Sequence, residues 1–428
     1  MEVTIVGAGL VGCLLACFLA RRGHRVTLYE RRPDPRERGP ERGRSINLAL
    51  SERGIDALRR VGLDQEVLEA ALPMPGRMMH ALDGTLTFQP YSADGRHAIN
   101  SISRGALNAV LLDAATRLPG VSVHFEHRLT AVDENAGLLT FSTGAVEKAQ
   151  IVIGADGAYS AVRARLQSLP GVDFSQEYLN YGYKELTIPA KDGNFAMNPA
   201  ALHIWPRGAE MMIALPNPDR SFTCTLFWPH AALAAPDAVD HVRRDYPDAV
   251  ALMPYLEDDY ARNPVGHLVT MRCSPWHRAG ERMTLAVIGD AAHAIVPFYG
   301  QGANCGFEDC VELDRCLEAT GDDFAAAFRL FERRKADTDV IARLALENFV
   351  EMRDKVGSRA FLARKRIEHA LERLLPGWYV SQYELVSFST TPYAEVERRV
   401  ARQRRAALLA GGGAAAAVAA LLAARRRR

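Results

Sequence analysis

The first thirty residues alternate between short apolar runs and one longer apolar stretch. Val3-Thr4-Ile5-Val6 is a strand-like run, an apolar stretch without a breaker extends from Leu10 to Ala20, and Arg25-Val26-Thr27-Leu28-Tyr29 is a second strand-like run. Short β-branched and aliphatic runs are typical of buried strands, whereas the longer stretch favours a helix. The pattern therefore predicts a βαβ unit that starts almost at Met1 and ends at Glu30.

A glycine motif stands at the first turn of this unit. Gly7-Ala8-Gly9-Leu10-Val11-Gly12 follows the first strand, and Glu30 lies 18 residues past the last glycine. In such a motif one glycine permits a tight turn, one lets the backbone approach a pyrophosphate, and one lets helix and strand pack closely. The helix N-terminus offers unpaired N–H groups to phosphates. A glycine-rich turn can also serve packing alone, but the strand, helix, second strand and acid together favour a nucleotide site, with Glu30 accepting a hydrogen bond from a ribose hydroxyl.

Two later strands also end in glycine and an acid. Ile151-Val152-Ile153-Gly154-Ala155-Asp156-Gly157 fits a sharp turn and a ligand site equally well. Leu285-Ala286-Val287-Ile288-Gly289-Asp290 precedes a loop with Pro and Gly that reaches Asn304, and a long helical pattern then continues through Glu318. Asp290 at the strand's carboxyl end can bind a ribityl or ribose hydroxyl, and the next helix would direct its N–H groups at an electron-rich ring. For His293 we favour packing or hydrogen bonding beneath the loop over a role as a base.

The segments between these motifs are less regular. Gly43–Ser51 leads into an amphipathic helix through Leu58, and its polar residues can either cap that helix or touch a nucleotide. Further strands are predicted near Arg77–His80, Phe88–Tyr91, Val121–Phe125 and Leu138–Ser142, and a helix from Ser101–Arg104 to about Leu118. Residues 171–276 contain β-rich runs separated by Pro, Gly and Asn, at Lys184–Ile188, Ala201–Trp205, Glu210–Leu215 and Phe222–Trp228, with a helix at Ala238–Asp245. These short runs predict an antiparallel sheet.

The patterns together predict an α/β protein. A Rossmann-like βαβ nucleotide-binding domain carries an inserted antiparallel-sheet substrate domain and a helical C-terminal region. The predicted boundaries are 1–75, 100–170 and 278–345 for the three parts of the nucleotide-binding domain, 76–99 for an excursion into the substrate domain, 171–277 for the antiparallel sheet, 346–400 for the helical region and 401–428 for an Ala/Arg-rich tail.

Composition adds constraints on partners and location. The chain of 428 residues has a net charge of +1, which gives no electrostatic reason to expect nucleic acid as a partner. Seven cysteines without a C-x-x-C spacing predict reduced thiols, a cytoplasmic location and no metal site. The tail at 406–428 approaches the length of a membrane span, but it is mostly alanine and Gly411-Gly412-Gly413 interrupts it. A frayed tail or helical extension is therefore favoured over a peripheral membrane anchor.

The three glycine motifs, in this order, resemble those of the single-component flavoprotein aromatic hydroxylases, and the resemblance covers nearly the whole chain. In that family the first motif binds the ADP half of FAD, the last binds its ribityl chain and flavin, and the middle one lies near both. The resemblance implies FAD as cofactor and NADPH and O₂ as co-substrates. No second dinucleotide fold is visible, so NADPH is expected to visit the open face of the same site transiently.

Within that family the chain resembles the branch that hydroxylates kynurenine. The residues that carry this resemblance are Gly43–Ser51, Arg77–His80, Gln89–Tyr91, Ser101–Arg104, Tyr183–Leu186, His203–Arg207, Pro297–Gly302, Phe307–Cys310 and Asn348–Arg353. By position, the implied substrate-binding residues are Arg77, Tyr91, Asn348 and Tyr383. The implied FAD-contacting residues are Gly7, Gly9, Val11, Gly12, Glu30, Arg31, Arg32, Ala49, Arg104, Leu129, Asp290, Gly302, Ala303 and Asn304. The chain departs from the family pattern at two positions near the flavin: Ala303 stands where a methionine is expected, and Tyr299 where phenylalanine is common. These departures affect the expected packing of the flavin ring and the turnover, but not the assignment to this family.

The implied substrate, L-kynurenine, suits these residues chemically. Arg77 offers a two-pronged partner for its α-carboxylate, and Tyr91 and Tyr383 offer hydroxyls beside it. On spacing alone, a surface ion pair for Arg77 and ordinary packing for the tyrosines would be preferred. The aniline nitrogen activates the ring, so a strong protein base is unnecessary, and the flavin supplies the difficult chemistry.

Two other functions remain compatible with the sequence. The first is a related flavin hydroxylase of a phenolic acid, for which no deprotonation relay can be identified. The second is a non-catalytic flavin-binding protein whose arginine-flanked tail docks on a membrane or a partner. The ring hydroxylation products of candidate aromatic compounds would separate the first from a hydroxylase of kynurenine, and rapid NADPH oxidation stimulated by an aromatic amino acid would exclude the second.

Overall fold

The structure is a computed structural model that describes residues 1–38, 47–92, 95–351, 371–372, 374–375 and 377–407. Three sequence predictions fall partly outside these ranges: the first part of the polar stretch Gly43–Ser51, the end of Asn348–Arg353, and the Ala-rich part of the C-terminal tail. Within the described ranges, no helix combines the length and the apolar character that crossing a bilayer requires.

The described chain contains strands and helices throughout. The strands are β1 (Glu2–Val6), β2 (Arg25–Tyr29), β3 (Asn47–Leu50), β4 (Leu72–Met74), β5 (Gly76–His80), β6 (Leu86–Pro90), β7 (Ile99–Ser103), β8 (Val121–His124), β9 (Leu129–Asp133), β10 (Leu138–Phe141), β11 (Val146–Lys148), β12 (Ile151–Gly154), β13 (Asp173–Ile188), β14 (Leu202–Arg207), β15 (Glu210–Pro216), β16 (Phe222–Pro229), β17 (Gly266–Ser274), β18 (His277–Ala279) and β19 (Thr284–Val287). The helices are α1 (Leu10–Arg21), α2 (Pro35–Arg38), α3 (Glu52–Arg60), α4 (Asp64–Glu69), α5 (Arg104–Arg117), α6 (Ala161–Gln167), α7 (His230–Leu233), α8 (Ala238–Asp245), α9 (Pro247–Val250), α10 (Leu256–Arg262), α11 (Asp290–His293), α12 (Gly302–Thr320), α13 (Phe324–Phe331), α14 (Lys335–Val350) and α15 (Gln382–Ser387). Residues 393–407 are also helical, and Pro297–Tyr299 and Glu332–Arg334 are 3₁₀ turns.

The nucleotide-binding part is built on a six-stranded sheet in the order β18-β19-β12-β1-β2-β8. All neighbouring pairs are parallel except β18 with β19. Helices α5 and α12 both pack against α1. Because the carboxyl ends of parallel strands meet at one edge, the three glycine motifs after β1, β12 and β19 converge there. This convergence confirms the predicted Rossmann-like βαβ architecture.

The second large sheet has seven strands in the order β17-β13-β16-β15-β14-β5-β6. Its pairs are antiparallel except β14 with β5, where Leu202 lies beside Arg77 in parallel register. The predicted excursion at 76–99 thus forms the hairpin β5–β6, which lies at the edge of this sheet. The other five strands of the sheet come from residues 173–274. The core of this sheet contains three large side chains with relative exposures of 0%, Trp205, Trp228 and Tyr246. The predicted domain boundaries themselves stay a prediction.

One local prediction was wrong, and one strand was not predicted. Ser101–Ser103 belongs to strand β7 and not to the following helix, which begins at Arg104 with the Ser103 hydroxyl accepting a hydrogen bond from Ala106 N. Residues 47–50 likewise form β3, which pairs with β7. In both places polar residues interrupt an apolar pattern, and the pairing between the two strands outweighs the local preference. The helix after β3 begins at Glu52, and the Ser51 side chain does not cap it.

Candidate active site

The first glycine motif has the geometry of a phosphate-binding turn. Gly7 adopts a positive φ of 105°, and a Cβ added there would lie 2.6 Å from the Ala155 carbonyl oxygen. A Cβ on Gly12 would collide with the Gly7 carbonyl oxygen, so this glycine permits close packing of the helix on the turn. Gly9 has open space around it, with nothing within 4 Å of an added Cβ. The three glycines thus divide into one turn position, one packing position and one position that leaves room for a ligand.

Glu30 lies beside this turn at the end of β2. Its Oε2 accepts a hydrogen bond from Ala8 N at 2.9 Å, and its Oε1 accepts one from Arg32 N at 3.0 Å. Because a carboxylate can accept about four hydrogen bonds, the half-buried Glu30 keeps the capacity to accept from a ribose hydroxyl.

Three other implied FAD residues lie near Glu30. The exposed Arg31 and Arg32 follow it directly, and Arg32 O accepts a hydrogen bond from Glu126 N at 3.0 Å. The segment from Glu126 continues to the buried Leu129 at the start of β9. The structure therefore brings this group of residues to one side of the glycine turn.

The middle motif places a polar atom in the site without a protein partner. Asp156 Oδ2 accepts a hydrogen bond from Ala161 N at 2.6 Å, whereas its buried Oδ1 has no hydrogen-bond partner. Desolvation by burial raises the pKa of this carboxyl. A Cβ added to Gly7 would lie 2.8 Å from the Asp156 Cα, so the unpaired atom is close to the glycine turn. An unpaired buried acceptor and the open space at Gly9 fit a bound dinucleotide with hydroxyl donors.

The third motif turns sharply out of β19. Gly289 has a φ of 61° and a ψ of −141°, and Asp290 begins the one-turn helix α11. The Asp290 carboxylate is half-buried and has no hydrogen-bond partner among the described residues, so it is available to a ligand hydroxyl. The Val11 side chain packs between Gly289 and Gly306, where an added Cβ would lie 3.1 and 2.7 Å from its Cγ2. Val11 thus holds the first and third motifs together by packing.

The loop before α12 is joined to β3 by Asn304. Asn304 Oδ1 accepts a hydrogen bond from Ser51 N at 2.9 Å, and its Nδ2 donates to Ala49 O at 2.9 Å and to Gly300 O at 2.7 Å. Both amide N–H groups of Asn304 therefore already have acceptors in the protein. A contact of this residue with FAD would have to be made by its backbone, at the start of α12. Gly302 and Ala303 precede Asn304 in the first turn of the same helix, where backbone N–H groups lack intrahelical acceptors.

Arg104 is the implied FAD residue that the structure leaves outside these contacts. It is exposed at the first position of α5 and forms no hydrogen bond or ion pair with another described residue. Burial, and then Glu185, raise the pKa of Tyr183. The positive charge of Arg104 lowers this pKa, but by less, so it stays above its ordinary value. Its contact with FAD stays a prediction.

Arg77 enters a second, aromatic pocket from β5. Its guanidinium carbon lies 4.5 Å from the ring centroid of Tyr383 and 5.4 Å from that of Tyr91. The Arg77 Nε and the Tyr91 hydroxyl are both buried without a hydrogen-bond partner, and no carboxylate of a described residue forms an ion pair with Arg77. A cation that holds a buried donor without an acceptor is costly, so this site favours binding of an anionic ligand.

Three tyrosine rings form a stack that connects this pocket to the loop of the third motif. Tyr383 stacks on Tyr91 at 5.4 Å between centroids, and on Tyr299 at 5.6 Å. Burial raises the pKa of the Tyr91 and Tyr299 phenols, and the Tyr383 phenol raises both further. The Tyr91 and Tyr299 hydroxyls are therefore neutral donors at ordinary pH. Tyr299 connects the two halves of the site, because it belongs to the loop that leads into α12.

Asn348 reaches the same loop from α14. Its Nδ2 donates a hydrogen bond to Phe298 O at 2.7 Å, and the next residue, Phe349, stacks on Phe298 with 4.0 Å between centroids. The structure therefore shows Asn348 holding the loop that lies beside the pocket. Its Oδ1 is left as the atom that a substrate ammonium could use.

His293 has a structural partner, as the sequence interpretation favoured. Its Nε2 lies 2.5 Å from Asp309 Oδ2 within the protein interior. Burial raises the pKa of Asp309, but His293 and Arg334 lower it more, so this pKa is below its ordinary value and the carboxylate is charged. Cys305 lies near both residues, yet Arg334 contacts Asp309 and Cys305 and supplies the local positive charge.

Arg53 is an important residue that the sequence interpretation missed. Its guanidinium is fully buried, donates to Glu308 Oε1 at 2.6 Å and to Val386 O at 3.0 Å, also donates to Thr391 O, and lies 3.8 Å from the Tyr393 ring centroid. It therefore fixes the segment that carries Tyr383. A signal was present, because Arg53 lies four residues before Ala57 and therefore on the same buried face of α3.

Comparisons with known proteins identify the family. The model of the FAD binding domain family matches residues 1–330. A kynurenine 3-monooxygenase of Myxococcus xanthus (strain DK1622) is 50% identical over 405 residues, which cover 91% of this chain and 86% of that protein. The chain belongs to the kynurenine 3-monooxygenase family. Another member, from Dictyostelium discoideum, is 44% identical over 418 residues, 92% of this chain and 90% of its own.

A solved structure supports the fold independently. The tetrameric form of 2-methyl-3-hydroxypyridine-5-carboxylic acid oxygenase superposes with a TM-score of 0.68 at 21% identity, covering 84% of this chain and 95% of that chain. This likeness confirms the α/β FAD-binding fold, while the family model and the relatives at 44–50% identity confirm the predictions of an FAD cofactor and of an FAD-dependent monooxygenase. The roles of individual residues in the kynurenine 3-monooxygenase family site stay predictions.

Proposed function

We propose that this protein hydroxylates L-kynurenine to 3-hydroxykynurenine with FAD, NADPH and O₂. The observation that carries the proposal is Arg77, a half-buried residue whose buried Nε has no hydrogen-bond partner and whose guanidinium has no acidic partner among the described residues, in an aromatic pocket that adjoins the FAD-binding loop. The chain's membership of the kynurenine 3-monooxygenase family supports the same substrate. The chemistry of the pocket explains why an aromatic amino acid would bind there.

The substrate carboxylate is assigned to Arg77. Its unpaired Nε and the unpaired Tyr91 hydroxyl are donors that a carboxylate can satisfy, and a guanidinium binds a carboxylate through two parallel hydrogen bonds. Asn348 Oδ1 is the acceptor for the α-ammonium. With the amino-acid end held in this way, the aryl ring is placed among the rings of Tyr383, Tyr299 and Phe298, next to the loop that leads into α12.

The residues at the sheet edge fit FAD. Gly9 leaves room for the pyrophosphate, Glu30 and Asp290 are acceptors for hydroxyls, and the first turn of α12 offers free backbone N–H groups to the flavin ring. When bound, FAD accepts a hydride from NADPH and activates O₂ for transfer of one oxygen atom. The protein's own contribution is orientation of the ring and exclusion of water by the aromatic walls.

No protein base is required for this reaction. The aniline nitrogen of kynurenine donates electron density to the ring carbon that is hydroxylated, which makes that carbon nucleophilic. The described titratable groups that act on Arg77 are the phenols of Tyr383 and Tyr91, and burial keeps that of Tyr91 protonated. This arrangement favours a substrate that activates itself over a phenolic acid, which needs deprotonation.

The experiment is a screen of NADPH oxidation by the purified FAD protein. L-kynurenine should stimulate NADPH oxidation strongly, while phenolic acids and other aromatic amino acids should stimulate it weakly. Stronger stimulation by a phenolic acid would indicate a different hydroxylase of this fold. Absence of stimulation by every aromatic compound would instead support a non-catalytic flavin protein.

The remaining expectations concern location and organisation. We propose a cytoplasmic location because all seven cysteines are free thiols buried in the structure. The predicted division into FAD-binding, substrate and helical C-terminal regions is proposed to hold at the stated boundaries. The tail residues beyond 407 are proposed not to be a membrane anchor, which membrane flotation of the full chain would test.

A further inference from the structure

One buried carboxylate contacts both ends of the turn that presents Asp290. Asp309 lies on α12, has a relative exposure of 0%, and accepts hydrogen bonds on Oδ2 from Gly289 N at 3.1 Å and from His293 Nε2 at 2.5 Å. Gly289 is the residue before α11, and His293 is its last residue. A single side chain therefore spans the whole one-turn helix whose first residue is Asp290.

The turn depends on this support because its backbone is unusual. Gly289 has a φ of 61°, a conformation that only glycine adopts readily, and α11 is too short to be stable by itself. A second contact comes from Arg163, which donates to Ala291 O at 2.9 Å. Neither contact involves the Asp290 carboxylate, which is left free for a ligand. The turn is thus fixed from behind while its ligand-facing group stays unpaired.

We propose that Asp309 is a positioning residue for FAD, which acts by fixing the Gly289–His293 turn so that Asp290 meets the hydroxyl groups of the cofactor. This role concerns the flavin half of the site and holds whichever aromatic substrate is used. Asp309 does not touch the cofactor itself. Its third hydrogen bond, from Arg334 Nε at 3.1 Å, supplies the counter-charge that a buried carboxylate needs.

The neighbouring residue provides a matched control. Glu308 is also buried, accepts from the same Arg334 at 2.5 Å and from Arg53 at 2.6 Å, but makes no hydrogen bond to the turn. Asp309→Asn and Glu308→Gln each remove one negative charge beside Arg334 and preserve side-chain size. We therefore expect the two substitutions to lower the stability of the fold by similar amounts. Only Asp309→Asn removes a hydrogen-bond acceptor from the Gly289–His293 turn.

Asparagine cannot replace all three hydrogen bonds of Asp309. It has one acceptor oxygen and one NH₂ group, and because an unsatisfied charged donor costs more than a neutral one, the oxygen is expected to face Arg334, so that the Gly289 N–H loses its acceptor. The test is titration of each apoprotein with FAD, followed by protein fluorescence, together with the melting temperature of each apoprotein. We expect Asp309→Asn to raise the Kd for FAD at least tenfold above that of Glu308→Gln, with similar melting temperatures for the two apoproteins. Equal FAD affinities in the two variants would overturn the proposal.

A second pair of variants keeps the proposal testable if Asp309→Asn fails to fold. His293→Gln keeps an amide donor close to the position of His293 Nε2. His293→Phe keeps only a ring that can contact Trp276, whose centroid lies 5.2 Å from that of His293 in the wild type. We expect His293→Gln to bind FAD nearly as tightly as the wild type, and His293→Phe to bind it several-fold more weakly. If both bind FAD equally, the hydrogen bond to Asp309 has no role in positioning and the proposal is wrong.

Discussion

The Arg77→Ala variant is the sharpest perturbation of the proposed substrate pocket. Arg77 has a buried Nε without a partner, lies against the rings of Tyr383 and Tyr91, and forms no ion pair with a described carboxylate. The substrate carboxylate would therefore be its first anionic partner. Removing the guanidinium leaves that carboxylate desolvated and unpaired, which costs about 2–4 kcal/mol. Since about 1.4 kcal/mol corresponds to a factor of ten, KM for L-kynurenine should rise by about one and a half to three orders of magnitude.

The assay is steady-state product formation by FAD-loaded protein over a range of L-kynurenine concentrations. Arg77→Lys should recover part of the loss, because an ammonium restores the charge without the two-pronged geometry. FAD content should not change, since Arg77 lies on β5 and makes none of the described contacts at the glycine motifs.

An analogue of kynurenine without its carboxylate is the control. Wild type and Arg77→Ala should bind it almost equally poorly, because the partner of Arg77 is missing in both cases. The reasoning is refuted if Arg77→Ala keeps the wild-type KM for L-kynurenine, or if it loses FAD or stability while substrate binding is normal. Arg77 would then be a structural residue of the β5–β6 hairpin.

Three further variants test other parts of the site. Asp290→Ala should lower FAD affinity measurably in an apoprotein titration while the apoprotein melting temperature stays near that of the wild type, and unchanged affinity would show that Asp290 does not face the cofactor. Arg53→Met should destabilise the fold by about 3–5 kcal/mol in urea unfolding, because it leaves Glu308 with one cation fewer and frees two backbone carbonyls; a change below about 1 kcal/mol would contradict this. Hydrogen bonds from Arg165 lower the pKa of Glu134, so this pair stabilises the fold above the ordinary pKa of 4.5 and its contribution is lost as pH falls through the lowered pKa. The melting temperature of Glu134→Gln should therefore fall less than that of the wild type when the pH is lowered from about 6 to below the lowered pKa of Glu134, and identical losses would argue against the pair.

The sequence predicted elements best where one pattern decided the local structure. The β1–α1–β2 unit was predicted almost to the residue, because two short apolar runs and a long one are separated by glycines. The predicted helix start was wrong at Ser101–Ser103, and the strand at 47–50 was not predicted; in both places strand pairing between β3 and β7 determines the conformation. That pairing joins residues fifty or more positions apart and leaves no local pattern.

The FAD-binding and substrate-binding halves of the site also differ in how far the sequence could predict them. The three glycine motifs and Glu30 follow neighbouring parallel strands of one sheet, so their convergence follows from the strand order. Arg77, Tyr91, Asn348 and Tyr383 come from two strands or their ends and two helices that are far apart in the chain, and only the family resemblance grouped them. Arg53 and Asp309 were missed as positioning residues because their partners lie on other elements; helical spacing places Arg53 on the buried face of α3 but does not identify the partner of its charge.

Product analysis under ¹⁸O₂ tests the central claim most directly. FAD-loaded protein would be incubated with L-kynurenine and NADPH, and the product examined by mass spectrometry and NMR. The account predicts 3-hydroxykynurenine that carries one heavy oxygen atom on the ring, formed in proportion to the NADPH consumed. NADPH oxidation that yields hydrogen peroxide and unchanged kynurenine, or hydroxylation at another ring position, would contradict it.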